Sequence, residues 1–259
     1  MIQIAVAGAT GRMGRCVLEL AARDEQIDVA AALTFVGDKL AGTTLRCGGL
    51  EVTVADRLGA PCDALIDFSV PTGTIEWLKV CERLEIPMVT GVTGHDEEQL
   101  LRLRDGARVI PIVAAANFSP GMCVMLSVVG PIVQRLGEAY DVEIVETHHR
   151  QKSDAPSGTA RELLRRICEV SSHTDESNAV FGREGDVEEP PSGQIGIHAI
   201  RMGDVVGQHE VHISGAGETL TIRHTVQSRD VFARGAIRAA QWLLNQSPGL
   251  YTMDDVLGV

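Results

Sequence analysis

The sequence lacks the marks of several protein classes. No apolar run approaches the ~20 residues of a membrane span, so no transmembrane segment is expected. The N-terminus opens on the strand-like run Ile2 to Ala7 without a basic n-region, and no signal peptide is expected there. Cations are outnumbered, 23 Lys and Arg against 35 Asp and Glu. The resulting net charge of -12 argues against a general nucleic-acid backbone binder. The cysteines at 16, 47, 62, 81, 123 and 168 form no C-x-x-C pair. They read as reduced thiols of a cytoplasmic protein, not as a disulfide frame or a zinc site. Internal repeats and low-complexity tracts are missing too. What remains is a composition ordinary for a globular chain, 44% hydrophobic and 22% charged. Its 259 residues suffice for one large domain or two modest ones.

The first third alternates strands and helices. Ile2 to Ala7 reads as a buried parallel strand, and Gly8-Ala9-Thr10-Gly11-Arg12-Met13-Gly14 follows it. Met13, Val17, Leu20 and Ala21 then share a helix face, and Ile27 to Leu33 is a second strand. Strand, glycine turn, helix and strand within about 30 residues make a dinucleotide-binding unit. Glycines admit a pyrophosphate to the backbone, and a helix N-terminus favours its charge. The second strand ends at Leu33-Thr34-Phe35, without the acid that commonly bonds the ribose 2′-hydroxyl. Nothing at that position would repel a 2′-phosphate, and Arg12 and Lys39 are candidate partners for one. NADPH is thus permitted and NADH is not excluded.

Further strands are expected at Ala64 to Phe68, Pro87 to Val92 and Val109 to Ala114, with helices from Pro71 to about Leu84 and from Asp96 to Arg104. The strand ends Asp67-Phe68-Ser69, Gly91-Val92-Thr93 and Ala116-Asn117-Phe118 occupy one topological position. Ligands of open α/β sheets bind at that edge. Pro120 to Leu136 reads as an apolar helix that Pro131 should kink or break. Asp141 to Thr147 alternates as a strand. Residues 171 to 194 are polar and read as a mobile surface loop. The runs Ile195 to Ile200, His209 to Ser214 and Thr219 to Val226 are spaced for an antiparallel sheet. Phe232 to Leu244 is a helix with one apolar face, expected to return to the first domain.

The densest cluster of reactive side chains is E-I-V-E-T-H-H-R-Q-K-S-D-A-P-S-G-T-A, from Glu143 to Ala160. His148, His149, Arg150 and Lys152 run against the overall charge, and Glu143, Glu146 and Asp154 frame them. Ser157, Gly158 and Thr159 open a helix, with Ser157 a candidate cap. First-turn N–H groups lack internal acceptors, so a helix start beside cations suits an anion. His and Lys are proton donors. Metal catalysis fits poorly, because adjacent strand residues such as His148 and His149 face opposite ways and no H-E-x-x-H occurs. A hydrolytic Ser157 would lack the G-x-S-x-G elbow. The cluster instead suits an enzyme that adds hydride and a proton to a double bond of a small anion.

The same stretch resembles the signature of the dihydrodipicolinate reductase family, E-[IV]-x-E-x-H-x-x-x-K-x-D-x-P-S-G-T-A, and meets every fixed position. The likeness extends to Gly8 to Gly14, Ile66 to Pro71, Gly91 to Gly94, Ala115 to Ser119 and Ser228 to Leu244. It implies an α/β fold with a Rossmann-type parallel-sheet domain over 1–118 and 227–259. An α+β substrate and tetramerisation domain is implied over 119–226, closing over the substrate. It implies NADH- or NADPH-dependent reduction of a cyclic dicarboxylate, 4-hydroxy-tetrahydrodipicolinate, in the diaminopimelate and lysine pathway. A cytoplasmic homotetramer is implied, without metal, nucleic acid or membrane. By position, His148 resembles the proton donor/acceptor and Lys152 the catalytic proton donor. His149 resembles a substrate ligand, and Gly158 and Thr159 the pair holding a substrate carboxylate, with Ser157 and Thr93 completing that set. Gly8, Ala9, Thr10, Gly11, Arg12, Met13, Gly91, Val92, Thr93, Ala115, Ala116, Asn117 and Phe118 resemble cofactor contacts, with Thr34, Phe35 and Lys39 at the ribose end. Thr34-Phe35 departs from the acid–arginine pair of well-known members, Ser153 is often aliphatic in relatives, and Arg150 gains no role. Two rivals remain. A homoserine- or diaminopimelate-type dehydrogenase would reduce NAD(P)⁺ with an amino acid. A nicotinamide-sensing binding protein would not need Lys152 or the Ser157–Thr159 turn.

Overall fold

The computed structural model describes residues 1–171 and 174–259. Contacts divide the chain into unit 1, Met1–Pro120 with Arg229–Gly258, and unit 2, centred on Gly121–Ser228. In chain order, unit 1 begins with β1 (Ile2–Ala7), α1 (Arg12–Ala21), β2 (Ile27–Leu33), β3 (Thr44–Cys47) and β4 (Leu50–Ala55). It goes on through β5 (Ala64–Asp67), α2 (Pro71–Leu84), β6 (Met88–Thr90), α3 (Glu97–Gly106) and β7 (Pro111–Ala114). Then α4 (Pro120–Leu136), β8 (Asp141–His148), α5 (Gly158–Cys168), β9 (Ala179–Val180), β10 (Ile195–Arg201), β11 (Gly207–Gly215) and β12 (Glu218–Val226) build unit 2. The chain returns to unit 1 with α6 (Asp230–Leu243), β13 (Gly249–Tyr251) and α7 (Met253–Leu257).

The unit 1 sheet has the order β13-β7-β6-β5-β1-β2-β4-β3. Every pairing in it is parallel except the hairpin of β3 with β4. Parallel strands are covered on both faces, which is why β5 reads as a continuous apolar run apart from Asp67. Ala5, Ala7, Leu65, Met88 and Ile112 pack with Trp77, Leu78 and Cys81 of α2 and Leu103 of α3. Helices α1 and α6 pack together, and α6 lies on β5, β6 and β7. Because these strands run parallel, their following loops gather at one edge. Capping sets the helix starts. Pro71 opens α2, and Asp96 caps α3 in a reciprocal box with Gln99. The sequence reading missed β3 and β4. Both strands do alternate, with Leu45 and Cys47 of β3 and Leu50, Val52 and Val54 of β4 turned inward, but the runs are only four and six residues long.

The unit 2 sheet runs β12-β11-β8-β10-β9. It corrects the expected antiparallel sheet. β11 is antiparallel to β8 and β12, whereas β10 is parallel to β8 and β9 is parallel to β10. The long connection from β8 through α5 gives the chain room to return in the same direction. Met122, Met125, Val129 and Val133 of α4, with Leu163, Leu164 and Ile167 of α5, pack on Val142, Ile144, Ile197, Val211 and Ile213. α4 runs continuously through Pro131, so the helix does not break there. The proline removes one bond, to the Ser127 carbonyl, while the buried stripe on both sides of it anchors the helix. The polar stretch 171–194 is largely exposed yet carries a 3-10 turn at Glu176–Asn178 and strand β9. Positions 172 and 173 within it lie outside the described residues. No described helix is long and apolar enough to cross a membrane.

One glycine of unit 1 marks a close approach between α6 and the loop after β7. A Cβ on Gly235 would stand 1.8 Å from the Phe118 carbonyl oxygen. Gly235→Ala is expected to cost about 1–3 kcal/mol, the usual size of an overpacking defect. The measurement is the urea midpoint, and an unchanged midpoint contradicts this packing.

Candidate active site

The carboxyl edge of the unit 1 sheet is built for close backbone approach. Gly8 has φ 72°, and a Cβ there would meet the Phe68 carbonyl oxygen at 2.5 Å. A Cβ on Gly14 would fall 2.2 Å from the Gly8 carbonyl oxygen. Gly11 caps α1 with no side-chain bond, and the first turn of α1 holds no acid. Its N–H groups and positive dipole end are therefore not occupied by a cap of the protein's own, as a phosphate site requires. Phe68 links the neighbouring loops. Its ring sits 5.8 Å from that of Phe118, edge to face, and excludes any side chain at Gly91. Thus Gly8 to Met13, Gly91 to Thr93 and Ala115 to Phe118 follow parallel strands at one edge of the sheet. Asp67 turns inward instead. It accepts from Ser69 N (2.9 Å), Thr74 Oγ1 (2.6 Å) and Thr90 Oγ1 (3.2 Å), stitching three segments together. Burial still pushes its carboxyl above the usual range.

The ribose end differs from the sequence reading. Thr34 is buried at the tip of β2, and its hydroxyl donates to Asp38, which the linear pattern had left out. An acid thus stands beside the position where nothing was expected to repel a phosphate. Phe35 and Lys39 are exposed on the same turn.

In unit 2, Glu146 governs the geometry. β8 buries Val142, Ile144 and Glu146 on one face, and His148 is the next residue on that face. Glu146 has 0% exposure. It receives Arg201 through two bonds, 2.8 Å to Oε2 and 2.7 Å to Oε1, and Ser157 N–H at 3.0 Å. His148 Nδ1 lies 2.5 Å from Glu146 Oε2. Burial alone would raise the Glu146 carboxyl, but the bonds from His148, Arg201 and Ser157 outweigh it and hold it at about 2. An ionised carboxylate can only accept, so Nδ1 carries the hydrogen and Nε2 is the working nitrogen of His148. Nε2 points past Gly207, where a Cβ would approach to 3.1 Å.

A turn in which Lys152 N–H bonds the His149 carbonyl at 3.1 Å presents the lysine. Its ammonium sits 2.8 Å from Asp154 Oδ1. Burial opposes ionisation of Asp154, yet the bond from Lys152 keeps its carboxyl below the usual range. Ser157 caps α5 by accepting from Ala160 N at 3.2 Å, and its Oγ lies 3.1 Å from His209 Nε2. The hydroxyl expected to help hold substrate is therefore buried and engaged within the unit. Gly158 and Thr159 follow as the first helical residues. His149 is half-buried just beyond β8, whereas Thr93 lies exposed in unit 1. Glu143 does not frame the histidines. It lies three residues from Glu146, hence on the other sheet face, with His198 (2.7 Å) and Arg183 (2.8 Å). Arg150 is exposed and bonds Gly203 through its backbone N–H. Among the described residues, no group of three His, Cys, Asp or Glu could hold a metal.

Two site residues escaped the sequence reading. Arg201 ends β10 directly beside His148 in the parallel register. His209 faces Glu146 across the β8–β11 ladder, with its ring 5.1 Å from that of His148. Burial, then the neighbouring His148, push the His209 imidazole down to about 3, so it is neutral at pH 7. A basic residue closing one strand beside an E-x-H that closes the next was the available signal for Arg201.

A dinucleotide-binding edge on one unit, with a carboxylate-held imidazole and a lysine on the other, defines the class of the protein. It is an oxidoreductase carrying a Rossmann-type unit. The chain belongs to the dihydrodipicolinate reductase family. The family's N-terminal model matches residues 2–118 and its C-terminal model residues 121–257. A 4-hydroxy-tetrahydrodipicolinate reductase of Geobacter sulfurreducens is 40% identical over 266 aligned positions, covering 100% of both chains. One from Alkalilimnicola ehrlichii is 41% identical and covers 99% of each. Among solved structures, a dipicolinate-bound dihydrodipicolinate reductase from Paenisporosarcina sp. TG-14 aligns with TM-score 0.76 over 97% of each chain. At 24% identity that likeness is one of fold.

The Glu146 geometry has a pH signature. Its folded pKa of about 2 lies below the ordinary 4.5, so its stabilisation is fully present above about pH 4.5 and is lost as pH falls toward 2. Glu146→Gln is expected to lose roughly 3 kcal/mol at pH 7, because Arg201 is left without its charge partner. The gap from wild type should close between pH 4.5 and about 2. Urea midpoints across that range measure it, and a gap independent of pH contradicts the ion-pair assignment.

Proposed function

We propose that the chain reduces 4-hydroxy-tetrahydrodipicolinate to tetrahydrodipicolinate with NADH or NADPH, in diaminopimelate and lysine biosynthesis. The observation that carries this reading is the buried Glu146 carboxylate, which fixes the His148 tautomer four residues before Lys152 and nine before the Ser157 cap. Family membership supplies the substrate. The reaction removes the 4-hydroxyl as water, so proton delivery is required as well as hydride.

The glycine turn Gly8 to Met13 would hold the pyrophosphate of a dinucleotide, with Gly91 to Thr93 and Ala115 to Phe118 along the same strand ends. The nicotinamide cofactor supplies hydride when bound. His148 keeps its Nδ1 proton on Glu146 and exchanges protons at Nε2. Lys152, oriented by Asp154, donates the proton that follows hydride addition. Backbone N–H groups of Gly158 and Thr159, aided by the α5 dipole, hold a substrate carboxylate, and His149 is a second ligand. Ser157 acts from beneath, as the cap that shapes this turn. The proposal extends to a cytoplasmic homotetramer acting on small molecules, without nucleic-acid or membrane partners, which family resemblance supports.

The test is a coupled assay in which aspartate semialdehyde, pyruvate and the upstream synthase are supplied and nicotinamide oxidation is followed. Turnover dependent on the synthase is expected. Reduction of NAD(P)⁺ by an amino acid would favour the dehydrogenase rival instead. Lys152→Ala should lower kcat by roughly 10²–10⁴-fold while leaving cofactor affinity unchanged. If Lys152→Ala and His148→Gln both keep full kcat, the assignment of proton chemistry fails.

A further inference from the structure

The tip of β2 carries a carboxylate that is not adjacent in sequence to the strand. Thr34 is 5% exposed, and its N–H bonds the Ala55 carbonyl at 2.9 Å, tying the tip to the end of β4. From there the chain makes a tight turn, with Asp38 N–H on the Phe35 carbonyl at 3.1 Å. The turn brings Asp38 back onto Thr34. One Asp38 oxygen accepts the Thr34 hydroxyl and the other accepts Leu40 N–H at 3.0 Å. A second acid, Asp56 at the end of β4, accepts Gly37 N–H at 3.3 Å from the same turn. Next to the turn lies a cavity of about 740 Å³ whose lining includes Phe35, Val36, Val70 and Trp77. It is apolar enough and large enough for a purine ring.

In a dinucleotide-binding unit the ribose of the adenosine half meets the end of the second strand. Resting on the reductase reading above, we propose that Asp38 is the specificity-determining residue there. Its carboxylate accepts the ribose hydroxyls and disfavours a 2′-phosphate, so the protein prefers NADH. The geometry supports this in two ways. Two oxygens offer about four acceptor positions, and the Thr34 and Leu40 bonds use two, so acceptor capacity remains for a diol. Those bonds also fix the charge in place, and the Thr34 hydroxyl holds Asp38 below the usual carboxylate range. Opposing cations exist, since Arg57 and Arg83 line the cavity and Lys39 follows Asp38. None of the three is recorded in an ion pair with Asp38, whereas the carboxylate is anchored one hydrogen bond from the strand tip.

The test is calorimetric titration of the unliganded full-length protein with NADH and NADPH, for wild type, Asp38→Asn and Thr34→Val. Wild type is expected to bind NADH at least about tenfold more tightly than NADPH, given the cost of placing like charges together. Asp38→Asn should bring the two within about threefold, chiefly by tightening NADPH. Thr34→Val, which removes the anchor and keeps the acid, should give an intermediate ratio. Equal affinity in wild type, tighter NADPH, or a ratio unmoved by Asp38→Asn overturns the assignment to Asp38 and leaves the reductase reading standing. Binding of neither nucleotide overturns the reductase reading and this inference together. Melting temperatures of the variants separate a lost preference from a lost fold.

Discussion

An ionised carboxylate without solvent must be surrounded by donors, or it costs several kcal/mol. Glu146 stands at the core-facing end of β8, and four donors meet it from three directions. Each brings a different part of unit 2 into register. Arg201 fixes the end of β10, Ser157 fixes the entry to α5, and His148 is the chain's own continuation. Arg201 also bonds the Asp154 carbonyl at 2.6 Å, which pins the segment bearing Lys152. One charge therefore organises His148, the lysine turn and the start of α5 together. Replacing it with an apolar residue would leave Arg201 bonded to backbone carbonyls but without its buried carboxylate.

His209 completes the arrangement from the neighbouring strand. It is neutral, and its Nδ1 has no hydrogen-bond partner among the described residues, an arrangement that burial makes costly. A protonated ring there would set a second positive charge beside His148 and Arg201. Its neutrality thus keeps the local balance at one carboxylate and one guanidinium around His148. In unit 1 the organising acid is of another kind. Asp67 is buried among hydroxyls and a backbone N–H without a cation, so it stitches loops without adding a formal pair.

Local patterns carried much of this. β1 and β2 show in the sequence with the bounds they have in the structure, and the Gly8 to Gly14 turn and the Ser157 cap follow from glycine and capping chemistry alone. What stayed hidden depends on register between distant segments. Arg201 reaches Glu146 across 55 positions and His209 reaches Ser157 across 52. No periodicity encodes which residue on one strand faces which on the next. Asp38 was missed for a nearer reason, since a turn of five residues carries it back to a strand tip that reads as uncharged. The parallel placement of β10 was equally invisible, because strand spacing alone does not tell direction.

The division of the chain into units has a consequence for biosynthesis. Unit 2 is inserted between residues 120 and 229 of unit 1. On a ribosome, the inserted unit is therefore complete while its host still lacks α6 and β13. Those two elements cover β5 to β7 and extend the sheet beside β7. Domains generally fold as units, the N-terminal one first, and here the unit that starts first is completed last along the chain. Unit 2 can finish folding first, whereas the sheet of unit 1, although it begins at residue 2, waits for the last thirty or so residues to emerge.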